Sequence, residues 1–270
     1  MLNIVVSLTT YPARISTVNQ AIETLLNQSV KADKVILWLG LEQFPNKEKD
    51  LPENLLALKN NGLTIDWCRD IKPYKKLIPA LQKYPDKIIV TADDDVLYPS
   101  DWLEKLYKAY KDNPTYIHCH RAHRILFKFG RKKLVPYRKW LRCIKDVKPS
   151  FCNFFTGMGG VLYPPNCLHK DILREDLFMK LCPKNDDIWF WAMGVLNNRE
   201  INIVKDNILD FDYIEDSQQT SLYEFNYYNN DASINEVLSN YPQLIKSLFN
   251  IKNKRENIEF FLKTKIKKYI

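Results

Sequence analysis

The chain has 270 residues, of which 46% are apolar and 27% are charged, and its net charge at pH 7 is +8. This length and apolar content are sufficient for a sizeable buried core, which excludes an intrinsically disordered protein. The longest nearly unbroken apolar run, residues 188–196, is far shorter than the roughly 20 residues that a membrane-spanning helix needs. We therefore expect a globular protein that is made and kept in the cytoplasm.

Positive charge is concentrated in two segments of the sequence. Residues 121–148 contain eleven Lys and Arg against one Asp, and residues 251–270 contain seven against two Glu, which leaves −7 for the rest of the chain. This distribution indicates contact with an anionic surface or ligand, either lipid headgroups or phosphates. Nucleic acid is not expected as a partner, because no helix-turn-helix, zinc-finger or RNA-binding signature accompanies the charge.

Strands and helices alternate in the first half of the sequence. Short apolar runs rich in β-branched residues predict strands at residues 3–8, 34–39, 62–67 and 87–92. Amphipathic spacing predicts helices that begin at Ser16, near Tyr74 and at Ser100. This repetition predicts a mostly parallel α/β sheet with flanking helices on both faces.

The second half of the sequence is less regular. The basic segment 121–148 is interpreted as a mobile loop over the site, and a strand near residues 160–163 and a helix over residues 187–197 follow it. We expect a catalytic domain over residues 1–240 and a basic amphipathic helical tail over residues 241–270. Apolar residues in the tail recur at helical spacing among seven cations, which is typical of a helix on an anionic bilayer. Docking of this tail on its own domain is the alternative.

Three consecutive carboxylates, Asp93, Asp94 and Asp95, follow the fourth predicted strand. Ligands of parallel α/β sheets bind where the strands end at their carboxyl side. Adjacent carboxylates repel one another, and a divalent cation relieves this repulsion and can also bridge two phosphates. The cluster therefore predicts a site for a metal and a diphosphate. A solvated turn before Pro99 is the alternative.

The segment Ile88-Ile-Val-Thr-Ala-Asp-Asp-Asp-Val-Leu-Tyr-Pro99 resembles the D-x-D segment of GT-A-fold glycosyltransferases, close to inverting family two and bacterial surface-glycan enzymes. Ser7-Leu-Thr-Thr-Tyr-Pro-Ala-Arg14 resembles the opening segment of that group. With Asn185-Asp-Asp-Ile-Trp-Phe-Trp191, the resemblance covers roughly residues 1–215. It implies a GT-A-like, Rossmann-like fold. It also implies metal-dependent, inverting transfer of a sugar from a nucleotide donor, a UDP-sugar, to a glycan or glycolipid hydroxyl of a capsule or lipopolysaccharide.

The resemblance also assigns roles at the donor. Asp95 matches the principal ligand of Mn²⁺ or Mg²⁺, and the D-x-D pattern makes Asp93 and Asp95 the metal pair. Asp94 or Asp93 matches the residue that touches ribose or a second coordination position. Lys76, after the third strand, is expected to neutralise the diphosphate, although Lys75-Lys76 on a helix face is also typical of a solvated surface.

Two further segments are expected to contact the nucleotide sugar. Thr9, Tyr11 and Arg14 match the loop that receives the uracil, where Tyr11 would stack on the base and Arg14 would pair with phosphate. Glycines are dense at Gly157-Met-Gly-Gly160, and we expect Gly159 to allow close approach of the sugar or acceptor. A tight turn into the next strand is the alternative for this segment.

Asp186 and Asp187 open the last predicted helix of the catalytic domain. Acids in the first turn of a helix are stabilised by its dipole, so a structural role is one interpretation. The functional interpretation makes one of them the general base that takes the proton of the acceptor hydroxyl, and the resemblance favours Asp187. Family two often has Glu-Asp here, so the choice between the two residues stays open.

Other functions are weighed against this one. Asp93-x-Asp95 resembles the nucleophile motif of haloacid-dehalogenase phosphatases, but Leu97 stands where that motif has Thr or Val. A sugar nucleotidyltransferase has a glycine-rich loop after strand one, where this chain has Thr-Thr-Tyr-Pro. A non-enzymatic anion-binding protein is the third alternative.

Histidines and cysteines give no clear metal motif. His118, His120 and His123 lie together, but a zinc site would need further ligands, and the six cysteines form no C-x-x-C pair. A further ligand for the divalent cation is left open, and the candidates are His169, Asp210 and Asp212.

Overall fold

The computed structural model describes residues 3–128, 133–145, 148–215 and 223–249. The strands within these ranges are, in chain order, β1 (Ile4–Thr9), β2 (Lys34–Gly40), β3 (Leu63–Cys68), β4 (Ile88–Thr91), β5 (Val96–Leu97), β6 (Ile117–Cys119), β7 (Ala122–Arg124), β8 (Asn153–Phe155), β9 (Val161–Tyr163), β10 (Ile201–Ile203) and β11 (Asp212–Tyr213). The helices are α1 (Val18–Leu26), α2 (Glu53–Ala57), α3 (Ile78–Lys83), α4 (Trp102–Asp112), α5 (Glu175–Leu181), α6 (Asp186–Leu196), α7 (Tyr223–Asn240) and α8 (Gln243–Leu248).

The central sheet has seven strands in the order β10-β6-β9-β4-β1-β2-β3. All neighbouring strands in it are parallel except β9, which runs antiparallel to both β4 and β6. Two short antiparallel pairs, β5 with β11 and β7 with β8, lie outside this sheet. The predicted mostly parallel α/β sheet is therefore confirmed.

Two apolar cores cover the two faces of the sheet. Side chains of β1 alternate between them, because Ile4, Val6 and Leu8 belong to one core and Val5 to the other. Buried residues of α1, α2 and α4 fill the first core, and those of α3, α5, α6, α7 and α8 fill the second. This alternation explains why the buried strands are nearly continuous apolar runs in the sequence.

Helix starts differ from the predictions by a few residues. The first helix was predicted to begin at Ser16, but α1 begins at Val18 and Thr17 occupies the cap position without a side-chain cap bond. The reason is that Pro12–Arg14 already forms a 3-10 turn, and the Thr17 hydroxyl donates to the carbonyl of Arg14 at 3.2 Å. The helix predicted near Tyr74 is a 3-10 turn over Lys72–Lys76 followed by α3.

The segment interpreted as a mobile loop is packed in its described parts. Strand β7 pairs with β8, with Ala122 opposite Phe155. Tyr137 and Trp140 are buried in the second core. The distant pairing partner in β8 accounts for the weak local periodicity of this segment, because the strand gains its order from residues 30 positions away.

Helices α7 and α8 pack against α6 in the second core, where Tyr241, Leu244 and Leu248 are buried. Residues 250–270 lie outside the described ranges, so the predicted amphipathic tail and its membrane contact stay predictions, as does the division at residue 240. Among the described residues, no helix is long and apolar enough to cross a membrane.

Replacing Leu244 by Ala should lower the free energy of unfolding by about 2–5 kcal/mol, because it empties a fully buried position of the second core. Gln243→Ala on the same helix is the control; Gln243 is exposed, and its change should stay within about 0.5 kcal/mol. Urea unfolding followed by tryptophan fluorescence measures both. Equal midpoints for the two variants would contradict a core role for α8.

Candidate active site

A cavity of about 630 Å³ opens at the carboxyl ends of β1 and β4. Its walls include the loop after β1, the turn after β3, the turn after β4, the glycine-containing turn after β8 and the first turn of α6. The carboxyl ends of parallel strands such as β1 and β4 are where α/β sheets bind ligands. All the residues named above for the donor and the base line this cavity except Gly159.

The carboxylate turn is held by contacts from outside β4. The Asp93 amide donates to the Tyr98 hydroxyl at 2.8 Å, and that hydroxyl donates to the Met158 carbonyl at 3.1 Å. The Ile214 amide donates to the Asp95 carbonyl at 3.0 Å, next to the pairing of β11 with β5. The backbone of the three aspartates is thus fixed from both sides of the turn.

Arg14 neutralises the inner part of this carboxylate cluster. Its Nη1 lies 2.7 Å from Asp94 Oδ1 and 3.0 Å from Asp95 Oδ2. The hydroxyl of Thr10 donates to Asp94 Oδ2 at 2.6 Å. Asp94 is therefore occupied by protein partners on both oxygens, while its proposed contact with ribose stays a prediction.

Lys76 lies between the two clusters of aspartates in the cavity, Asp93–Asp95 and Asp186–Asp187. Its Nζ is 2.9 Å from Asp93 Oδ1 and 3.0 Å from Asp186 Oδ2, and its side chain is only 8% exposed. Burial opposes the charged form of Lys76, but Asp186 and Asp93 outweigh it and hold its pKa well above the usual range. The ammonium thus ties the turn after β4 to the start of α6.

Asp187 is the carboxylate of α6 that is half-buried at the cavity wall. The Gly157 amide donates to its Oδ2 at 3.0 Å. Burial and, next to it, the neighbouring charge of Asp186 raise the pKa of Asp187 to about 7, while the charge of Lys76 opposes them. A carboxylate with this pKa is suited to accept a proton near neutral pH.

Asp95 is also perturbed. Burial raises its pKa to about 6, the charge of Asp93 acts in the same direction, and Arg14 opposes both. Arg14 and Lys76 together pair with four carboxylates, so these two cations can balance at most half of the negative charge they contact. The end of the cavity at Asp93 and Asp95 therefore favours an additional cation.

The chemistry of Asp93 and Asp95 suits Mg²⁺ or Mn²⁺, because both offer hard carboxylate oxygens at one end of the cavity. Within the described part of the chain, no three His, Cys, Asp or Glu side chains gather as a metal site. None of His169, Asp210 and Asp212 lines the cavity. The residues fit a cation that takes one or two protein carboxylates and completes its shell with phosphate and water, as Mg²⁺ commonly does.

Thr9, Tyr11 and Arg14, in the loop after β1, all line the cavity. Some of their side chains contact other residues of the protein. The Thr9 hydroxyl donates to the Trp38 carbonyl at 2.8 Å. The Arg14 guanidinium lies 5.7 Å from the centre of the Tyr11 ring. Tyr11 lines the cavity and is half-buried.

The glycines of the turn after β8 serve internal packing. A Cβ on Gly157 would lie 2.7 Å from Lys76 Nζ and 2.8 Å from Asp187 Oδ1, so this position must stay bare for the two charged groups to approach. A Cβ on Gly159 would lie 2.7 Å from the Cβ of Arg121. Gly160 has a φ of +86° and packs against Trp102. This conformation agrees with the tight turn into the next strand that was the alternative for this segment.

Several cavity residues were not predicted from the sequence. Thr10 lies between the predicted residues Thr9 and Tyr11 but was not predicted itself. Arg121, Tyr213 and Asn230 are distant in the sequence from the predicted site segments. The Asn185 side chain donates to Asn230 at 2.6 Å, which brings α7 to the cavity wall. The three clustered histidines are buried, and burial lowers the pKa values of His118 and His120 to about 4 and of His123 to about 3.

No protein-family model matches this sequence, and no curated protein matches it. Among solved structures, S. aureus TarS 1–349 is 14% identical, with a TM-score of 0.48 over 87% of this chain and 69% of that chain. The same protein in complex with UDP-GlcNAc is 12% identical, with a TM-score of 0.47 over 81% and 60%. The inositol-1-phosphate CTP transferase from T. maritima is 10% identical, with a TM-score of 0.46 over 87% and 95%. These likenesses concern the path of the chain and not the side chains of the site.

Replacing Lys76 by Met should destabilise the protein by about 3–5 kcal/mol at pH 8, because it leaves two carboxylates without their buried counter-charge. Burial raises the pKa of Asp186 and the charge of Lys76 opposes this, so without Lys76 the penalty at Asp186 is present at high pH and shrinks as pH falls towards 5. Denaturant unfolding at both pH values measures this.

The control for this variant is Lys59→Met, which breaks the exposed pair of Lys59 with Glu48. Such a pair contributes at most about 1 kcal/mol. A Lys76→Met protein that is as stable as Lys59→Met at pH 8 would contradict the structural role of the buried ammonium.

Proposed function

We propose that this protein is a metal-dependent glycosyltransferase that moves a sugar from a nucleotide-diphosphate donor, a UDP-sugar, to a hydroxyl of a bacterial surface glycan. The observation that carries the proposal is the placement of two pairs of aspartates in one cavity. Asp93 and Asp95 lie at the end of the sheet, Asp186 and Asp187 lie at the start of α6, and Lys76 joins the two groups.

The sheet end is the proposed donor side. Its excess of carboxylate charge would repel a diphosphate, and a Mg²⁺ or Mn²⁺ ion held by Asp93 and Asp95 would stabilise the negative charge of the leaving diphosphate. Arg14 lies beside these carboxylates and the ring of Tyr11 lies near its guanidinium. This supports the roles proposed from the sequence, in which Tyr11 stacks on the base and Arg14 orients a phosphate.

The start of α6 is the proposed acceptor side. Asp187 faces the cavity, and the Gly157 amide orients one of its oxygens. The other oxygen is then placed to take the proton of an incoming hydroxyl, which fits an inverting, single-displacement reaction. Asp186 is buried against Lys76 and acts on Asp187 through its charge, so we assign the general base to Asp187.

Binding of UDP should depend on a divalent cation and on Asp95. UDP with Mn²⁺ should raise the melting temperature of the wild-type protein, whereas UDP in excess chelator should not, because a ligand stabilises only the state that binds it. Asp95→Ala should lose the metal-dependent shift. Thermal unfolding with UDP, UDP-GlcNAc and UDP-glucose measures this, and an equal shift in chelator would remove the metal from the proposal.

Replacing Asp187 by Asn should lower sugar transfer roughly 100- to 10,000-fold while UDP affinity stays unchanged, because the lost group acts only on the acceptor proton. UDP release from UDP-sugars in the presence of acceptor measures the rate, and calorimetry measures UDP affinity. Retained turnover in Asp187→Asn would transfer the base role to another residue.

The pH dependence offers a second check. A base must be ionised, so kcat/KM should rise with pH through the Asp187 pKa of about 7 and level off above it. Asp186→Asn removes the like charge, which lowers the pKa of Asp187 and should move this rise to lower pH. An unchanged profile in Asp186→Asn would contradict the coupling between the two acids.

A further inference from the structure

Arg121 contributes a positive charge to the cavity wall that the roles above do not use. It lies half-buried after β6, and its Nη1 donates to the Thr156 hydroxyl at 3.1 Å. Arg14 and Lys76 form ion pairs with aspartates, whereas Arg121 forms none with a carboxylate in the described part of the chain. Among the described residues, the side-chain partner of its guanidinium is therefore a neutral hydroxyl.

Two hydrogen bonds of one turn relate the position of Arg121 to that of Asp187. Thr156 accepts the hydrogen bond from Arg121, and the next residue, Gly157, donates its amide to Asp187. The Thr156 amide also donates to the Arg121 carbonyl at 3.0 Å, which fixes the two segments together. A single turn of chain thus holds the guanidinium and the proposed base at neighbouring points of the wall.

A second guanidinium, that of Arg142, lies near this side of the cavity. Arg142 lies over the Tyr137 ring, 5.4 Å from its centre, and Tyr137 lines the cavity. Burial lowers the pKa of His123 to about 3, and the charges of Arg121 and Arg142 act in the same direction. His123 is therefore neutral near pH 7, and the charge of this wall comes from arginine.

Most of the remaining positive charge of segment 121–148 lies outside the cavity. Its exposed cations among the described residues are Lys128, Lys133, Arg138, Lys139, Lys145 and Lys148. Arg121 is the described cation of this segment that lines the cavity. The cavity wall therefore carries three aspartates at the end of β4 and, on the turn that contacts Asp187, the guanidinium of Arg121.

We propose that Arg121 binds an anionic group of the acceptor, a sugar carboxylate or a phosphate ester, beside the hydroxyl that Asp187 deprotonates. This inference rests on the proposed transferase function. A guanidinium recognises both groups through paired, charge-assisted hydrogen bonds. The glycan acceptor is then an acidic one, and a neutral sugar of the same shape is a poorer ligand.

The test measures the affinity of three sugars, glucose, glucuronate and glucose 6-phosphate, by calorimetry with and without UDP and Mn²⁺. Wild-type protein should bind the charged sugar that matches the acceptor at least about tenfold more tightly than glucose. Arg121→Gln should lose this margin and keep its affinity for UDP. Lys139→Gln removes the same charge from an exposed position of the same segment, and it should keep the margin.

Arg121→Lys is the second variant, because it retains a point charge without the paired donors and should keep only part of the margin. Circular dichroism and melting temperature report whether each variant folds. The ratio of glucuronate to glucose 6-phosphate affinity distinguishes a carboxylate from a phosphate acceptor.

Two results would overturn the inference. Equal binding of charged and neutral sugars to the wild-type protein would show that this wall does not select charge. Weaker UDP binding in Arg121→Gln, with an unchanged sugar margin, would place Arg121 at the donor diphosphate. If the wild-type protein does not bind UDP at all, the transferase proposal fails. The preference for a charged sugar over glucose, measured without UDP, still decides the role of Arg121.

Discussion

The buried ammonium of Lys76 is the interaction on which the geometry of the site depends. It joins Asp93, at the end of the sheet, to Asp186, at the start of α6, through two ion pairs of 2.9 and 3.0 Å. A buried charge that loses its partner is strongly destabilising, so neither carboxylate can move away without a large cost. The distance between the proposed donor and acceptor sides is therefore fixed by a pair of contacts in the folded core.

The surroundings of Lys76 keep it in place through backbone and core contacts. The Ser7 hydroxyl donates to the Lys76 carbonyl at 2.7 Å, and the Trp38 indole donates to that same hydroxyl at 3.0 Å. Gly157 leaves room for the ammonium where any Cβ would collide with it. Strands β1 and β2 and the turn after β8 thus position a residue that belongs to none of them.

The sequence could predict the parts of the site that depend on local pattern. The buried runs gave the strands because both faces of a parallel sheet are apolar, and the position of Asp93–Asp95 after β4 placed them at the ligand-binding edge. The position of Asp186 and Asp187 at the start of a predicted helix made both candidates for the base, and the resemblance favoured Asp187. The inferences on the strands and on Asp93–Asp95 need only neighbouring residues and one rule about sheets.

Partners that are distant in the chain could not be predicted in this way. Thr10 and Asp94 are 84 residues apart, and Asn185 and Asn230 are 45 apart. Strand β7 was missed because its order comes from β8, and Arg121 appeared only as one of eleven cations in a basic segment. What distinguishes Arg121 is its position beside Thr156, and tertiary contact alone supplies that.

Two of the perturbed acids of the cavity, Asp95 and Asp187, lie at its two ends and influence how each end responds to pH. Burial and Asp93 raise the pKa of Asp95 to about 6, and burial and Asp186 raise that of Asp187 to about 7, so both would gain protons over a similar range as pH falls. A divalent cation beside Asp95 would favour its ionised form. Burial also raises the pKa values of Asp94 and Asp186, and Lys76 opposes the rise at Asp186 and Asp187. An anionic acceptor group at Arg121 would raise the pKa of Asp187 further by adding negative charge nearby.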